Sequence, residues 1–387
     1  MKKVLFAIAF LLVVPGALHA QSILQDTQEI VHAQVLQIAD SSNDVIPGTD
    51  TRHPVQDIQV KILEGLAAGR TVLVHNDFTQ LNEGDTFFLT HIVPWNGLPE
   101  QYSVSEPDRL PALGWLAAIF VLLVVIFGGK QGIRGLLSLA GSLAFILFAL
   151  IPGILHGFSP VWLSIGVSSL IIVIGSYVTH GFNRTTSSAV AGMIVTLVIV
   201  GIFAHFAIGY TRLTGFGSEE ATYLNFNSRG ALDLAGILLG GILIGLLGVM
   251  YDAAIGQAIS VEELHRIAPH IDRKTVYSRA LRIGREHIGA LVNTLAIAYV
   301  GASLPLLLLF YFASGESIGI IINREIFSTE IVRSLIGSIG LVLAVPITTA
   351  IAVLVLMKKS ARHAPADEIE KERHALEHAG HRHERSV

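Results

Sequence analysis

The strongest constraint in this sequence is a succession of apolar runs that begins near Ala112 and continues almost to Leu356. The runs lie near 112–128, 135–155, 161–179, 187–208, 231–250, 288–312 and 331–356. Each can cross a hydrocarbon layer about 30 Å thick as a helix. The expected fold over 111–357 is therefore an α-helical polytopic membrane bundle of about seven spans. Charged residues make up only 14% of the chain, against about 25% in soluble domains. The net charge of −4 excludes a polycation built for nucleic acid. The chain has no cysteine, which excludes disulfides, thiolate metal sites and a cysteine nucleophile.

Charge sets the expected orientation. Lys130, Arg134, Arg184, the connection from Arg266 to Arg285, and Lys358, Lys359 and Arg362 fall on one side. Only Arg212, Arg229, Arg324 and Arg333 fall on the other. Basic loops stay in the cytoplasm, so the N-terminal domain is expected outside and the tail inside a plasma membrane. Trp115 and Trp162 stand at span starts, where an interfacial belt favours them.

The ends of the chain read differently. Residues 1–20 have the form of a secretory signal: Lys2 and Lys3, an apolar core from Val4 to Val14, a Pro15-Gly16 break and small residues Ala17 and Ala20. The alternative is an uncleaved anchor. Residues 21–110 alternate apolar and polar in EIVHAQVLQIAD, PVQDIQVKILEG, RTVLVHNDF and DTFFLTHIV, with turns at Glu83-Gly84-Asp85 and Trp95-Asn96-Gly97. Such period-two segments predict strands, and a fifth is expected near Gln101–Val104. The expectation is a small all-β, barrel-like domain of the OB or SH3-like kind, either binding a partner or capping the bundle. Residues 358–387 form a polar tail rich in histidine. His374 and His378 share a helix face and, with His381 and His383, could hold a metal; a solvated tail is the alternative. No other cofactor is required by the sequence.

Candidate functional residues cluster around the segment from Ala231 to Phe312. Gly236, Gly240, Gly241, Gly245 and Gly248 have small-xxx-small spacing, which lets another helix approach closely. Asp252 is a costly carboxylate near hydrocarbon, readable as an ion or proton site or as an interfacial acid. Gln257, Arg285, His287, Asn293 and Thr294 complete the expected polar hub at the inner ends of the fifth and sixth spans. Ser260-Val261-Glu262-Glu263 has capping-box form, Pro269 should end the helix it starts, and Asp272 should cap the next, with Val276, Ala280 and Ile283 on one face. This basic segment is expected at the inner headgroups, bound to anionic lipid. Pro305 and Pro346 can each bend a helix. The loop at 210–230 should carry a short helix starting at Ser218-Glu219-Glu220.

Several longer motifs carry a resemblance. They are Gly181-Phe182-Asn183-Arg184-Thr185-Thr186; Leu213-Thr214-Gly215-Phe216 with Glu219-Glu220-Ala221; Gly245 to Asp252; Gly284-Arg285-Glu286-His287-Ile288; Asn293-Thr294-Leu295; and Ala298 to Pro305. The chain resembles the YibE/F-like family of bacterial multi-pass membrane proteins. The resemblance implies a membrane location and several spans, and supplies no substrate. Where relatives have a second acid beside Asp252, this chain has Tyr251.

Three functions fit these observations. One is a transporter or channel for an ion or small solute; without a G-x-x-x-x-G-K-[ST] loop it would need a gradient or a separate partner. Another is a membrane scaffold or sensor whose outer domain binds a partner or envelope component; a homo-oligomer fits either. An enzyme is disfavoured, because G-x-S-x-G and H-E-x-x-H are both absent.

Overall fold

The computed structural model describes residues 26–45, 48, 50–312 and 315–357. The signal segment and the histidine-rich tail, with His374, His378, His381 and His383, lie outside the described residues. The chain divides into two compact units, one up to Phe120 and one from Val121 onward.

The first unit is a five-stranded antiparallel half-barrel. Its strands are β1 (Thr27–Val45), β2 (Arg52–Ile62), β3 (Thr71–Asn76), β4 (Thr86–Val93) and β5 (Gln101–Pro107), in the order β3-β2-β1-β4-β5. All five expected strands are present. Alternation explains the core: Val31, Ala33 and Val35 of β1, Ile58, Val60 and Ile62 of β2, and Phe87 and Leu89 of β4 point inward and are buried. The central strand β1 pairs with both β2 and β4, and register shifts near Val35 and Ile38 bend it. The turn glycines Gly84 and Gly97 adopt φ of 89° and 75°, which a side chain would disfavour.

The second unit is helical. Helix α1 (Leu110–Phe145) continues through a π-turn (Ile146–Leu150) into α2 (Ile151–Leu155). It is broken at Gly129 (φ 52°, ψ −137°). Beyond that point the chain turns back, so that a Cβ on Gly132 would strike the Val124 carbonyl oxygen; those residues would stand about 12 Å apart in a straight helix. Then follow α3 (Pro160–His180), α4 (Arg184–Tyr210), the short α5 (Glu219–Asn227), α6 (Leu234–Ile267), α7 (Arg273–Ala302), α8 (Leu304–Phe312), α9 (Ile318–Asn323) and α10 (Glu325–Leu356). Among the described residues five helices are long and apolar enough to cross a membrane, or six if α7 and α8, bent by 66° at Ser303, form one span. The chain is a multi-pass membrane protein by helix length and composition.

Local chemistry accounts for the boundaries. Gly181 (φ 79°) ends α3, and the Asn183 side chain caps α4 by accepting from the Thr186 amide at 2.7 Å. Ser218 caps α5, and Asp272 caps α7 by accepting from the Thr275 amide at 3.1 Å, both as expected. Pro305 lies just past the bend at Ser303. Pro346 lies inside an unbroken α10.

Three expectations are corrected. Ser260 does not cap a new helix: α6 runs unbroken to Ile267, and the Ser260 hydroxyl donates to the Gly256 carbonyl at 2.8 Å. The fifth span is therefore continuous with the first inner helix, because nothing between Asp252 and Ala268 breaks it. Val276 and Ala280 are buried but Ile283 is 40% exposed, because the packed face continues through Gly284 instead. The basic segment is not a separate surface helix; it forms the first half of α7, packed on α6 and α10.

Helix α6 is central, packing on α3, α4, α7 and α10. Gly236 and Gly240 meet α3: a Cβ on Gly240 would collide with the Ser164 hydroxyl, and one on Gly236 would lie 3.3 Å from Pro160. A Cβ on Gly245 would lie 3.0 Å from the Tyr299 hydroxyl of α7, while one on Gly241 or Gly248 would meet nothing within 4 Å. Of the five glycines, Gly236, Gly240 and Gly245 sit at helix contacts and Gly241 and Gly248 do not.

Candidate functional site

The polar hub expected at the inner ends of α6 and α7 is not gathered in one place. Gln257 is buried, and its amide oxygen accepts from the Thr349 hydroxyl of α10 at 2.8 Å. Gly284 faces that amide and Val345, so any side chain there would collide with them. This three-helix junction explains the glycine of the Gly284-Arg285-Glu286-His287-Ile288 motif. Asp252, Arg285, His287, Asn293 and Thr294 are all exposed. The Thr294 hydroxyl donates to its own helix at Ala290. Asp252 and Asn293 line neither of the cavities described next.

A different polar cluster occupies the opposite end of α10. Glu330 lies 3.4 Å from Arg333, one turn further along the same helix. The Ser303 hydroxyl, at the α7–α8 bend, donates to Glu330 at 3.3 Å. Two cavities flank this carboxylate, and Glu330 lines both. One, of about 360 Å³, is walled by Tyr299, Ser303, Phe310, Phe327 and Ser334 among others. The other, of about 310 Å³, is walled by Gly217, Glu220, Gly241, Thr329 and Arg333 among others. Thr329 is only 4% exposed, and its hydroxyl oxygen has no hydrogen-bond partner; neither does the buried Nε of Arg333. Buried polar atoms are nearly always satisfied, so these two orphans beside the cavities stand out. In the sequence Arg333 stands out only as an outer charge, and Glu330 does not stand out. An acid and a base three residues apart inside an apolar span was the signal available.

The adjoining loop is held by a second carboxylate. Glu325 accepts from the amides of Thr214, Gly215 and Phe216 at 2.8–3.1 Å and from the Thr214 hydroxyl at 2.8 Å. Consecutive amides converging on one anion form a nest. Gly215 has φ of 89°, and a Cβ there would strike the Leu234 backbone. The Leu213-Thr214-Gly215-Phe216 motif is therefore a clamp that fixes one wall of the smaller cavity.

The half-barrel holds its own polar cluster. His91, 2% exposed, lies between Glu29 at 3.0 Å and Glu100 at 3.1 Å, one carboxylate on each ring nitrogen. Tyr102 stacks on its ring and donates to Glu100, while Glu29 also accepts from the Leu66 amide at 3.1 Å. The Tyr102 hydroxyl, and then His91, hold the Glu100 carboxyl below its ordinary value of 4.5. Burial, and then the neighbouring Glu100, raise the Tyr102 phenol. Every member has a partner, and the cluster ties the β2–β3 and β4–β5 loops to β1. Among the described residues no group of three or more His, Cys, Asp or Glu is arranged to hold a metal.

A family model for YibE/F-like proteins matches residues 116–358. The chain belongs to the YibE/F-like family. The match takes in both cavities, the Glu325 clamp and the Gln257 junction, and leaves out the half-barrel. No curated protein and no solved structure matches the chain.

Proposed function

We propose that the chain is a transporter or channel for an ion or small polar solute, and that Glu330, Arg333, Tyr299, Ser303 and Thr329 form its solute site. The observation that carries this reading is the single carboxylate shared by two cavities, with unpartnered buried donors and acceptors beside it. Glu330 and Arg333 are 29% and 34% exposed and loosely paired. A solute or water can exchange with either partner without stranding a bare buried charge. The bend at Ser303 and Pro305 lies beside the larger cavity, as broken helices do at transporter sites. Taking the limbs of α1 on either side of Gly129 as separate crossings gives seven spans. The half-barrel then lies outside a bacterial plasma membrane and the tail inside, with Lys274 near anionic headgroups. No covalent chemistry is proposed for the chain.

The test is flux into proteoliposomes, with sodium, potassium, magnesium, chloride and phosphate as probes. Flux of at least one of these is expected, reduced about tenfold or more in Glu330→Gln, as for loss of a charged contact worth about 1.4 kcal/mol or more in the rate-limiting state. Absence of flux for every probe, or equal flux in the variant, would overturn the assignment.

A second reading rests on the half-barrel. Its strand order matches an OB-type barrel with the β3–β5 edge unpaired. The loops pinned by the His91 cluster present Leu66, Trp95 and Leu98, exposed by 75%, 60% and 58%. Exposed apolar side chains grouped on ordered loops fit a partner surface, so the chain would serve as a membrane scaffold or sensor. Crosslinking in native membranes would favour this reading if it captured a stoichiometric envelope protein while no flux could be measured.

A further inference from the structure

The two oxygens of Glu330 serve different cavities. Oε2 accepts the Ser303 hydroxyl at 3.3 Å, and Ser303 lines only the larger cavity. Oε1 lies 3.4 Å from Arg333, which lines only the smaller one. Charge-assisted hydrogen bonds run to about 2.7–2.9 Å, so the guanidinium is a loose partner. Oε2 has only a neutral hydroxyl. A carboxylate oxygen accepts more than one donor, so Glu330 keeps room on its larger-cavity side for a cation.

The lining of that cavity selects the cation. Among the described residues Glu330 is the only charged group in its wall. Tyr299, Ser303 and Ser334 add hydroxyls, and the remainder is apolar. Calcium takes about six to eight oxygen ligands and magnesium holds waters of its own; apolar walls suit neither. An anion would meet a negative charge and no positive one. Phe310 and Phe327 meet edge to face, their ring centroids 5.7 Å apart, and aromatic faces attract cations. A space of about 360 Å³ with apolar walls and a few polar groups is that of a small-molecule pocket.

We propose, resting on the solute site above for the role of Glu330, that the larger cavity binds an organic cation: an ammonium group on an apolar body. The ammonium sits at Glu330 and the body lies against Phe310, Phe327 and Leu335. A free organic ammonium ion and an aminophospholipid both have that chemistry. Because one carboxylate serves both cavities, the occupant of the larger should compete with an inorganic cation at the smaller and slow its flux.

Equilibrium binding of radiolabelled benzyltrimethylammonium to the full-length protein in dodecyl maltoside, an uncharged detergent, tests this. One saturable site per chain is expected. Its affinity should fall at least about tenfold in Glu330→Gln, as for loss of a charged partner. It should be unchanged in Asp252→Asn, which removes a carboxylate that lines neither cavity. Benzenesulfonate, of similar size and opposite charge, should neither bind nor compete; that comparison uses the unaltered protein and does not depend on the folding of a variant. Added phosphatidylethanolamine should displace the probe if a lipid ammonium is the occupant and leave it bound if a free one is. Absence of saturable ammonium binding, equal binding of the sulfonate, or equal affinity in Glu330→Gln would overturn the proposal. Ammonium binding without transport of any inorganic ion would sink the transport reading and leave this one standing; ion flux without ammonium binding would sink this one alone.

Discussion

The half-barrel and the helical unit bury polar side chains in opposite ways. In the half-barrel, Gln56 is 2% exposed; its amide accepts from the Leu81 amide and from Asn76 and donates to the Leu81 carbonyl. His91 has a carboxylate on each ring nitrogen. Among the described residues, two histidine nitrogens, those of His32 and His53, are the unpartnered buried side-chain atoms there. In the helical unit, Ser164, Ser168, Ser176, Thr329, Thr348 and the Nε of Arg333 are buried without partners. The first arrangement is built for rigidity. In the second, small hydroxyls at helix contacts permit close packing, and several stay without a hydrogen bond. A polar group in this protein is therefore informative according to whether it is satisfied, not merely according to where it lies in the chain.

Mutations should break that contrast in a fixed order. The largest loss is expected at Gly240, where a side chain must push α3 off α6: Gly240→Val should cost about 2–3 kcal/mol. Gly248→Val, facing open space, should cost less than about 0.5 kcal/mol. Thermal melting of the full chain in detergent compares the two. Next is Gln56→Ala, which strands the Leu81 amide and carbonyl and should cost about 2 kcal/mol. Its helical counterpart Gln257→Ala should cost about 1 kcal/mol, because the single Thr349 hydroxyl proton, shared between Gln257 and the Val345 carbonyl, can pass wholly to that carbonyl. Equal losses at Gln56 and Gln257 would remove the distinction. Glu325→Ala should speed amide exchange of Thr214, Gly215 and Phe216 while leaving β4 unchanged.

The smallest effect is the pH dependence of the half-barrel. The Glu100 carboxyl is held below its ordinary 4.5 in the folded chain. Its contribution is therefore present above that value and is lost as pH falls through the lower, folded value. Protection factors of the β4 and β5 amides, corrected for the intrinsic exchange rate, should fall in acid, and Tyr102→Phe, by removing the main stabilising bond to the carboxylate, should flatten that response. A response of the same size in the variant would exclude Glu100 as its source.

These distinctions also explain what could be read from the sequence. The strands were legible because alternation and turn glycines act locally, and the spans because length against bilayer thickness is a one-dimensional test. The caps at Asn183, Ser218 and Asp272 follow from short-range side-chain chemistry. The hub at Asp252, Gln257 and Asn293 did not assemble because helical position alone does not say which face turns inward; Gln257 faces α10, and Asp252 and Asn293 are exposed. Glu330 was missed for the converse reason. Its importance comes from Ser303 and from two cavities, all set by the α7–α8 bend and the packing of α10. The motif residues Gly215 and Gly284 needed coordinates too, since the partners that explain them are Glu325 and Gln257.

The central claim is that the cavities lined by Glu330 hold water or solute, whereas the heart of the bundle is sealed. Thiol labelling tests it most directly on this cysteine-free chain. Ser334→Cys, in the wall of the larger cavity, should react with a membrane-impermeant reagent at least about tenfold faster than Leu246→Cys in the buried core, since thiol reactivity requires access. Equal protection of both positions in the folded protein would mean that the cavity is dry, and would contradict the account.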